Sequence, residues 1–278
     1  MGMQTTAIAA NVEAIRERIH RAAQRAGRKS EEITLVAVAK TFPSEAIRQA
    51  FAAGLRHFGE NRVQEWEAKQ ALLRDLDACW HLVGHLQSNK AARAARLFRA
   101  VDSLDRVELA QKLDRALGQL SGSGSGESSD QSFSSNIRPG AQPAAPLPTA
   151  RMQVLIEVRL APEETKTGVA EADLPTLAEA VWALPHLDLR GLMCIPPYFD
   201  HPEQARPYFR KLRQLRDALR ELLQAPSARH SENRRGRAEE SFLPELSMGM
   251  SHDFEVAIEE GATQIRLGTA IFGPRSAR

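Results

Sequence analysis

Apolar residues along this chain follow two alternating rhythms. Between residues 5 and 27, Val12, Ile15, Ile19 and Ala22 fall at helical spacing among Arg and Glu, which predicts an amphipathic helix that Gly27 ends. Short β-rich runs come next: ITLVAVAK (33–40), HFGEN (57–61), CWHLVGH (79–85) and AVDSLD (100–105). Four more follow, MQVLIEV (152–158), LDLRGLMCI (187–195), FLPELSM (242–248) and TQIRLGT (263–269). Helical patterns fill the gaps at 44–54, 62–76, 88–97, 105–119, 171–184, 203–224 and 252–260.

Strands that alternate with helices pair in parallel through crossover helices, and eight such units predict a single closed (β/α)8 TIM-type barrel. An open doubly wound sheet is the alternative. It is disfavoured because no GxGxxG follows the first strand and because eight units suit closure. The eighth run lies close to the last residue, so the leading helix is expected to cover the place of a final helix.

Two segments interrupt the alternation. Residues 120–150 are rich in Ser, Gly and Pro with almost no large apolar side chains, which predicts a disordered loop between the helix after strand 4 and strand 5. Its GSGSG has neither a strand before it nor a helix after it, so it reads as a linker rather than a phosphate loop. Residues 225–240 mix basic and acidic groups and read as a charged, solvated loop insertion. The whole chain, 1–278, is expected to be one domain carrying these two insertions.

Composition narrows the partners. With 42% hydrophobic and 26% charged residues the chain can bury a sizeable core. The formal net charge of +2 gives no reason to bind nucleic acid or an anionic membrane. Cys79 and Cys194 sit in neither a metal-ligand spacing nor a disulfide framework and read as buried free thiols. No apolar segment approaches the ~20 residues that span a bilayer, and no signal peptide precedes the first helix. A cytoplasmic protein is expected.

In such a barrel, reactive groups gather at the C-terminal ends of the strands. That rule selects Lys40, Glu60 and Asn61, His85 and Gln87, and Asp102 or Asp105, together with CIPPYFD, SMGMSHD and RLGT. Lys40 ends an otherwise apolar strand. Its ammonium either snorkels to the rim or, if desolvated, becomes a nucleophilic amine suited to a Schiff base with a carbonyl compound or pyridoxal phosphate. A phosphate would find donors in SMGMSHD, where Gly249 allows close backbone approach and Ser251 either bonds the anion or caps the next helix. Gly268 and Thr269 add a second donor set, since barrels often bind phosphate with the loops after strands 7 and 8. Arg266 shares the parity of Gly268, so its guanidinium faces the interior and requires a partner, either a barrel carboxylate or a ligand.

The motifs LVAVAKT, FGENRVQE, WHLVGHLQSNK, VDSLD, RGLMCIPP and LSMGMSHDFEVAIEEGATQIRLGTAIFG occur here in that order. In this set and order the chain resembles the pyridoxal phosphate homeostasis protein family over nearly its whole length, the two insertions excepted. The resemblance implies a barrel of the alanine racemase N-terminal domain type, holding pyridoxal 5'-phosphate as a Schiff base on Lys40. It also implies that Asn61 lies near the cofactor ring, that Ser251, Gly268 and Thr269 hold the phosphate, and that Ser247 and Met248 line the site. Arg266 would face the pyridine nitrogen and keep it unprotonated, which weakens the ring as an electron sink.

The function so implied is binding of the cofactor for vitamin B6 homeostasis, without established turnover and with pyridoxal-phosphate-dependent apo-enzymes as possible recipients. The alternative is an amino-acid racemase or lyase that pairs Lys40 with Tyr198, at the rim after strand 6, as second acid/base. Racemases of related fold draw that second group from a C-terminal β domain. The sequence stops just past strand 8, so no such domain is expected, nor the dimer it would impose; a monomer is expected instead. An aldolase using Lys40 without a cofactor is a third possibility that would leave two phosphate loops unexplained.

Overall fold

A computed structural model describes residues 2–122, 151–161, 167–224 and 242–274. The charged insertion at 225–240 and the linker from 123 to 150 lie outside the described residues. Within them the parallel strands close in sequence order, β1 to β8, into one barrel. The first four are β1 (Thr34–Val38), β2 (His57–Glu60), β3 (Cys79–Leu82) and β4 (Ala100–Leu104). The others are β5 (Met152–Glu157), β6 (Leu187–Met193), β7 (Glu245–Ser247) and β8 (Gln264–Leu267). Every run assigned from the sequence is a strand, so the (β/α)8 reading holds.

Alternating side chains divide this barrel into two interiors. Outward residues such as Ala37, Phe58, Leu82, Val154 and Ile265 are fully or almost fully buried against the helices. There the ring of Trp80 stacks 3.7 Å from Trp66 and 5.2 Å from Phe58. Trp66 belongs to α3 (Val63–Gln70), which follows α2 (Ser44–Ala52). Inward residues include apolar Val36, Leu155 and Met193, but also His81, Asp102, Ser247, Gln264 and Arg266, all buried. The barrel axis is therefore partly polar, and it supplies its own hydrogen bonds.

The leading helix, α1 (Gly2–Arg25), packs against α2, α8 (Phe254–Glu259) and α9 (Thr269–Phe272), so it stands in the eighth helical position. Asn11 Nδ2 donates to the Ile271 carbonyl at 2.9 Å, and Arg18 and Arg25 pair with Glu255 and Glu259. The short α9 was not anticipated. The remaining helices are α4 (Ala91–Leu97), α5 (Val107–Gly122), α6 (Leu174–Trp182) and α7 (Arg206–Gln224). No helix of the described residues is long and apolar enough to cross a membrane.

Several element boundaries differ from the sequence reading, among them three near the insertions and the candidate site. Residues 120–122 continue α5 rather than starting the linker, with Ser121 Oγ donating to the Leu117 carbonyl. Strand β7 begins at Glu245, not 242, because Arg220 of α7 takes the Phe242 and Leu243 carbonyls and Leu243 has a positive φ of 46°. Helix α8 begins at Phe254, with Asp253 preceding it.

Where β6 meets β7, a Cβ built on Gly191 would lie 1.9 Å from the Glu245 carbonyl oxygen. Gly191→Ala must therefore push two paired strands apart, and we expect it to cost about 2–4 kcal/mol in denaturant unfolding. A variant as stable as the parent would show that the strands do not approach this closely.

Candidate functional site

The C-terminal ends of the strands enclose a cavity of about 440 Å³. It brings together Lys40, Asn61, Ser251, Arg266, Gly268 and Thr269, six of the eight residues singled out from the sequence. Ser247 and Met248 do not line it. Met248 is fully buried and joins the core between barrel and helices. Ser247 lies beneath Arg266, whose Nη1 donates to its hydroxyl oxygen at 2.5 Å.

Lys40 lies two residues past the end of β1, and α3 holds the peptide groups on both sides of it. Lys69 Nζ donates to the Ala39 carbonyl at 3.2 Å, while Glu65 accepts the Thr41 N–H. Thr41 has φ of 67°, a conformation unfavourable for a β-branched residue, at a cost of order 1–3 kcal/mol. That strained turn reverses the chain immediately after Lys40, where the strand would otherwise carry it past the rim.

Glu60, also chosen from its strand-end position, faces the helices instead of the cavity. Its Oε1 accepts from Lys69 at 3.1 Å, and burial raises its pKa to about 7 against the opposing pull of Lys69. Asp102 is likewise absent from the rim; it is buried inside the barrel. Gln87 is exposed and does not line the cavity. His85 does line it, with Nδ1 3.3 Å from Asp105 Oδ2.

The two loops expected to receive an anion are tied together. Ser251 does not cap α8; its Oγ accepts the Ala270 N–H of α9 at 3.3 Å. Asp253 Oδ1 takes the Met250 N–H at 2.7 Å, which shapes the intervening turn. Gly249 in that turn has φ of 93°, and a Cβ there would lie 2.6 Å from that of Ala257. Only glycine fits.

Arg266 is buried, and among the described residues no carboxylate lies within 4.0 Å of it, so of the two partners the sequence left open the barrel carboxylate is not the one engaged. Its partners are neutral: the Ser247 hydroxyl and, from Nη2 at 2.8 Å, the Cys194 carbonyl. Burial presses its pKa below the usual value, although a guanidinium keeps its charge. From Ser247 the hydrogen bonds continue down the axis. Gln264 Nε2 donates to Ser247 Oγ at 2.8 Å and to Asp102 Oδ2 at 2.6 Å. Asp102 Oδ1 lies 3.2 Å from His81 Nδ1, and His81 Nε2 lies 3.0 Å from His57 Nδ1 at the barrel floor. Burial works against charge on His81, but Asp102 and Cys79 outweigh it and raise its pKa to about 10.

Glu157 and Tyr198 also line the cavity. Glu157 ends the apolar run of β5 just as Lys40 ends the apolar run 33–40, which is the signal that would have found it. Thr167 Oγ1 donates to it at 2.8 Å, and burial raises its pKa. Tyr198 is 75% exposed, with its ring 5.5 Å from that of His252.

The chain is a barrel of the alanine racemase N-terminal domain type. The family description "alanine racemase, N-terminal domain" matches residues 10–276. The pyridoxal phosphate homeostasis protein of Aquifex aeolicus is 42% identical over 259 residues, covering 93% of this chain and 94% of that one. PipY of Synechococcus elongatus, solved with pyridoxal phosphate bound, is 34% identical with a TM-score of 0.71, covering 96% of this chain and all of PipY. Alanine racemase of Corynebacterium glutamicum shares the fold at 16% identity and a TM-score of 0.57, with 97% of this chain and 61% of that one covered. The chain belongs to the pyridoxal phosphate homeostasis protein family.

The pKa of Glu60 gives a pH test. In the folded protein it is raised to about 7 from 4.5, so between those values the folded state holds a proton that the unfolded chain has lost. Its contribution to stability is then full below pH 4.5 and lost as the pH climbs through 7. Glu60→Gln should remove this loss, which approaches ~1.4 kcal/mol per pH unit within the window. Denaturant unfolding at stepped pH checks it, and an unchanged slope would contradict the assignment.

Proposed function

We propose that the cavity holds pyridoxal 5'-phosphate through a Schiff base to Lys40, and that the protein serves homeostasis of this cofactor rather than a catalytic cycle. One observation carries the proposal: Lys40, Asn61, Arg266 and the two tied loops converge in a single cavity. PipY, of the same fold over its whole length, was solved with this cofactor bound.

The residues present fit the group. Lys40 offers the amine, and the two loops offer Ser251, Gly268 and Thr269 to a phosphate. Asn61 would border the ring and Arg266 would face the pyridine nitrogen, since both line the cavity. The cofactor, when bound, supplies an aldehyde and an electron-accepting ring. Arg266 cannot readily surrender a proton to that ring, and its neutral partners leave the charge in place. Ser247 and Met248 act from below, Ser247 by orienting Arg266 and Met248 by filling the core. Such a site favours holding the cofactor over stabilising a carbanion on it.

The proposal is of a monomeric, cytoplasmic, single-domain carrier, with pyridoxal-phosphate-dependent apo-enzymes as recipients. A racemase or lyase using Tyr198 opposite Lys40 is the competing function, since Tyr198 borders the same cavity. Its exposure leaves it without the fixed placement that proton transfer demands.

Purified protein reconstituted with the cofactor should absorb in the visible, and Lys40→Ala should abolish the band. A wild type that stays colourless after reconstitution would refute cofactor binding. Incubation with L-alanine in heavy water should leave Cα unlabelled. Deuterium there, lost in Tyr198→Phe, would assign the racemase function instead.

A further inference from the structure

At the opposite end of the barrel, three side chains that play no part in the cofactor cavity meet in space. Cys79 and His81 are two residues apart on β3 and so share its inner face. The register between β2 and β3 sets His57 beside Cys79. The ligand atoms of His57, Cys79 and His81 all lie within 4.8 Å of one another, and His57 Nδ1 and His81 Nε2 are 3.0 Å apart.

We propose that His57, Cys79 and His81 form a zinc-binding site at the floor of the barrel. Zinc takes imidazole nitrogen at about 2.0–2.1 Å and thiolate sulfur at about 2.3 Å, which places tetrahedral ligand atoms roughly 3.3–3.6 Å apart. Small side-chain adjustments bring the three atoms to that spacing. Two neighbouring strands carry all three, so the donors are held by the barrel and not by loops.

The surroundings supply what a zinc site requires beyond its ligands. Asp102 Oδ1 faces His81 Nδ1 at 3.2 Å, which fixes the ring orientation and directs Nε2 to the cluster. Asp102 is itself held by Gln264. A cavity of about 380 Å³ at the floor borders His57 and His81, giving solvent access and room for water as a fourth ligand. Arg28 and Arg190 face this cavity too, but each is engaged by a carboxylate: Arg28 by Glu32 at 3.2 Å and Arg190 by Glu245 at 3.1 Å. The two arginines are therefore neutralised, and zinc, to bind, must displace the proton that His81 carries.

The spacing Cys-x-His on one strand and His on its neighbour escapes a search for paired cysteines, because half of the set comes from register rather than sequence. A site with three protein ligands and one open position, partly buried at the opposite end of the barrel and joined to Arg266 by the axial hydrogen bonds, is distinct from the site that binds the coenzyme.

Full-length protein stripped of metal and titrated with zinc against a chromophoric chelator should take up one equivalent. Cys79→Ser and His57→Gln should each weaken binding by more than about tenfold. In the unmutated protein, zinc should slow alkylation of Cys79, read by peptide mass, so the test stands even where a variant fails to fold. Zinc that is not retained against the chelator, or that binds as tightly in folded Cys79→Ser and leaves Cys79 alkylation unchanged, would overturn the site.

Discussion

A guanidinium buried inside a parallel barrel is the constraint around which this molecule is organised. Arg266 faces inward because β8 alternates, and its charge finds no carboxylate within 4.0 Å among the described residues. An unpaired buried charge is costly unless its donors are met. Ser247 and the Cys194 carbonyl meet them. Ser247 in turn is braced by Gln264, Gln264 by Asp102, and Asp102 by His81. A barrel interior that could have been filled with branched apolar side chains thus carries a continuous polar column. The column makes sense if the charge at its top is needed where it stands.

The same economy of support governs Lys40. Its neighbours Ala39 and Thr41 are fixed by Lys69 and Glu65, one helical turn apart on α3, so the flexible side chain departs from a rigid point. The strain at Thr41 is tolerated because Glu65 accepts the N–H that the turn presents. Barrel, helix and turn together fix the backbone from which the Lys40 side chain departs.

Much of the fold was legible because strand and helix periods differ so clearly here. All eight strands followed from short β-rich runs, and α1 itself from its helical spacing of apolar residues. The ends were less legible, since they depend on tertiary partners: Arg220 shortens β7 by taking two carbonyls, and nothing local to residues 242–244 announces that. At the site, residues that close a strand at the rim could be picked from position, as Lys40, Asn61 and His85 were. Glu60 and Asp102 were misjudged because parity and depth, not proximity to a strand end, decide which way a side chain faces. The place of Ser247 beneath Arg266 and the His57–Cys79–His81 cluster depend on which strands become neighbours and in what register, so no single segment reveals them.

The most direct measurement is borohydride reduction of the reconstituted protein followed by mass mapping. The account predicts a single pyridoxyl group, borne by the peptide containing Lys40 and absent from every other lysine. A protein left unmodified, or modified chiefly at Lys69 or another lysine, would contradict it.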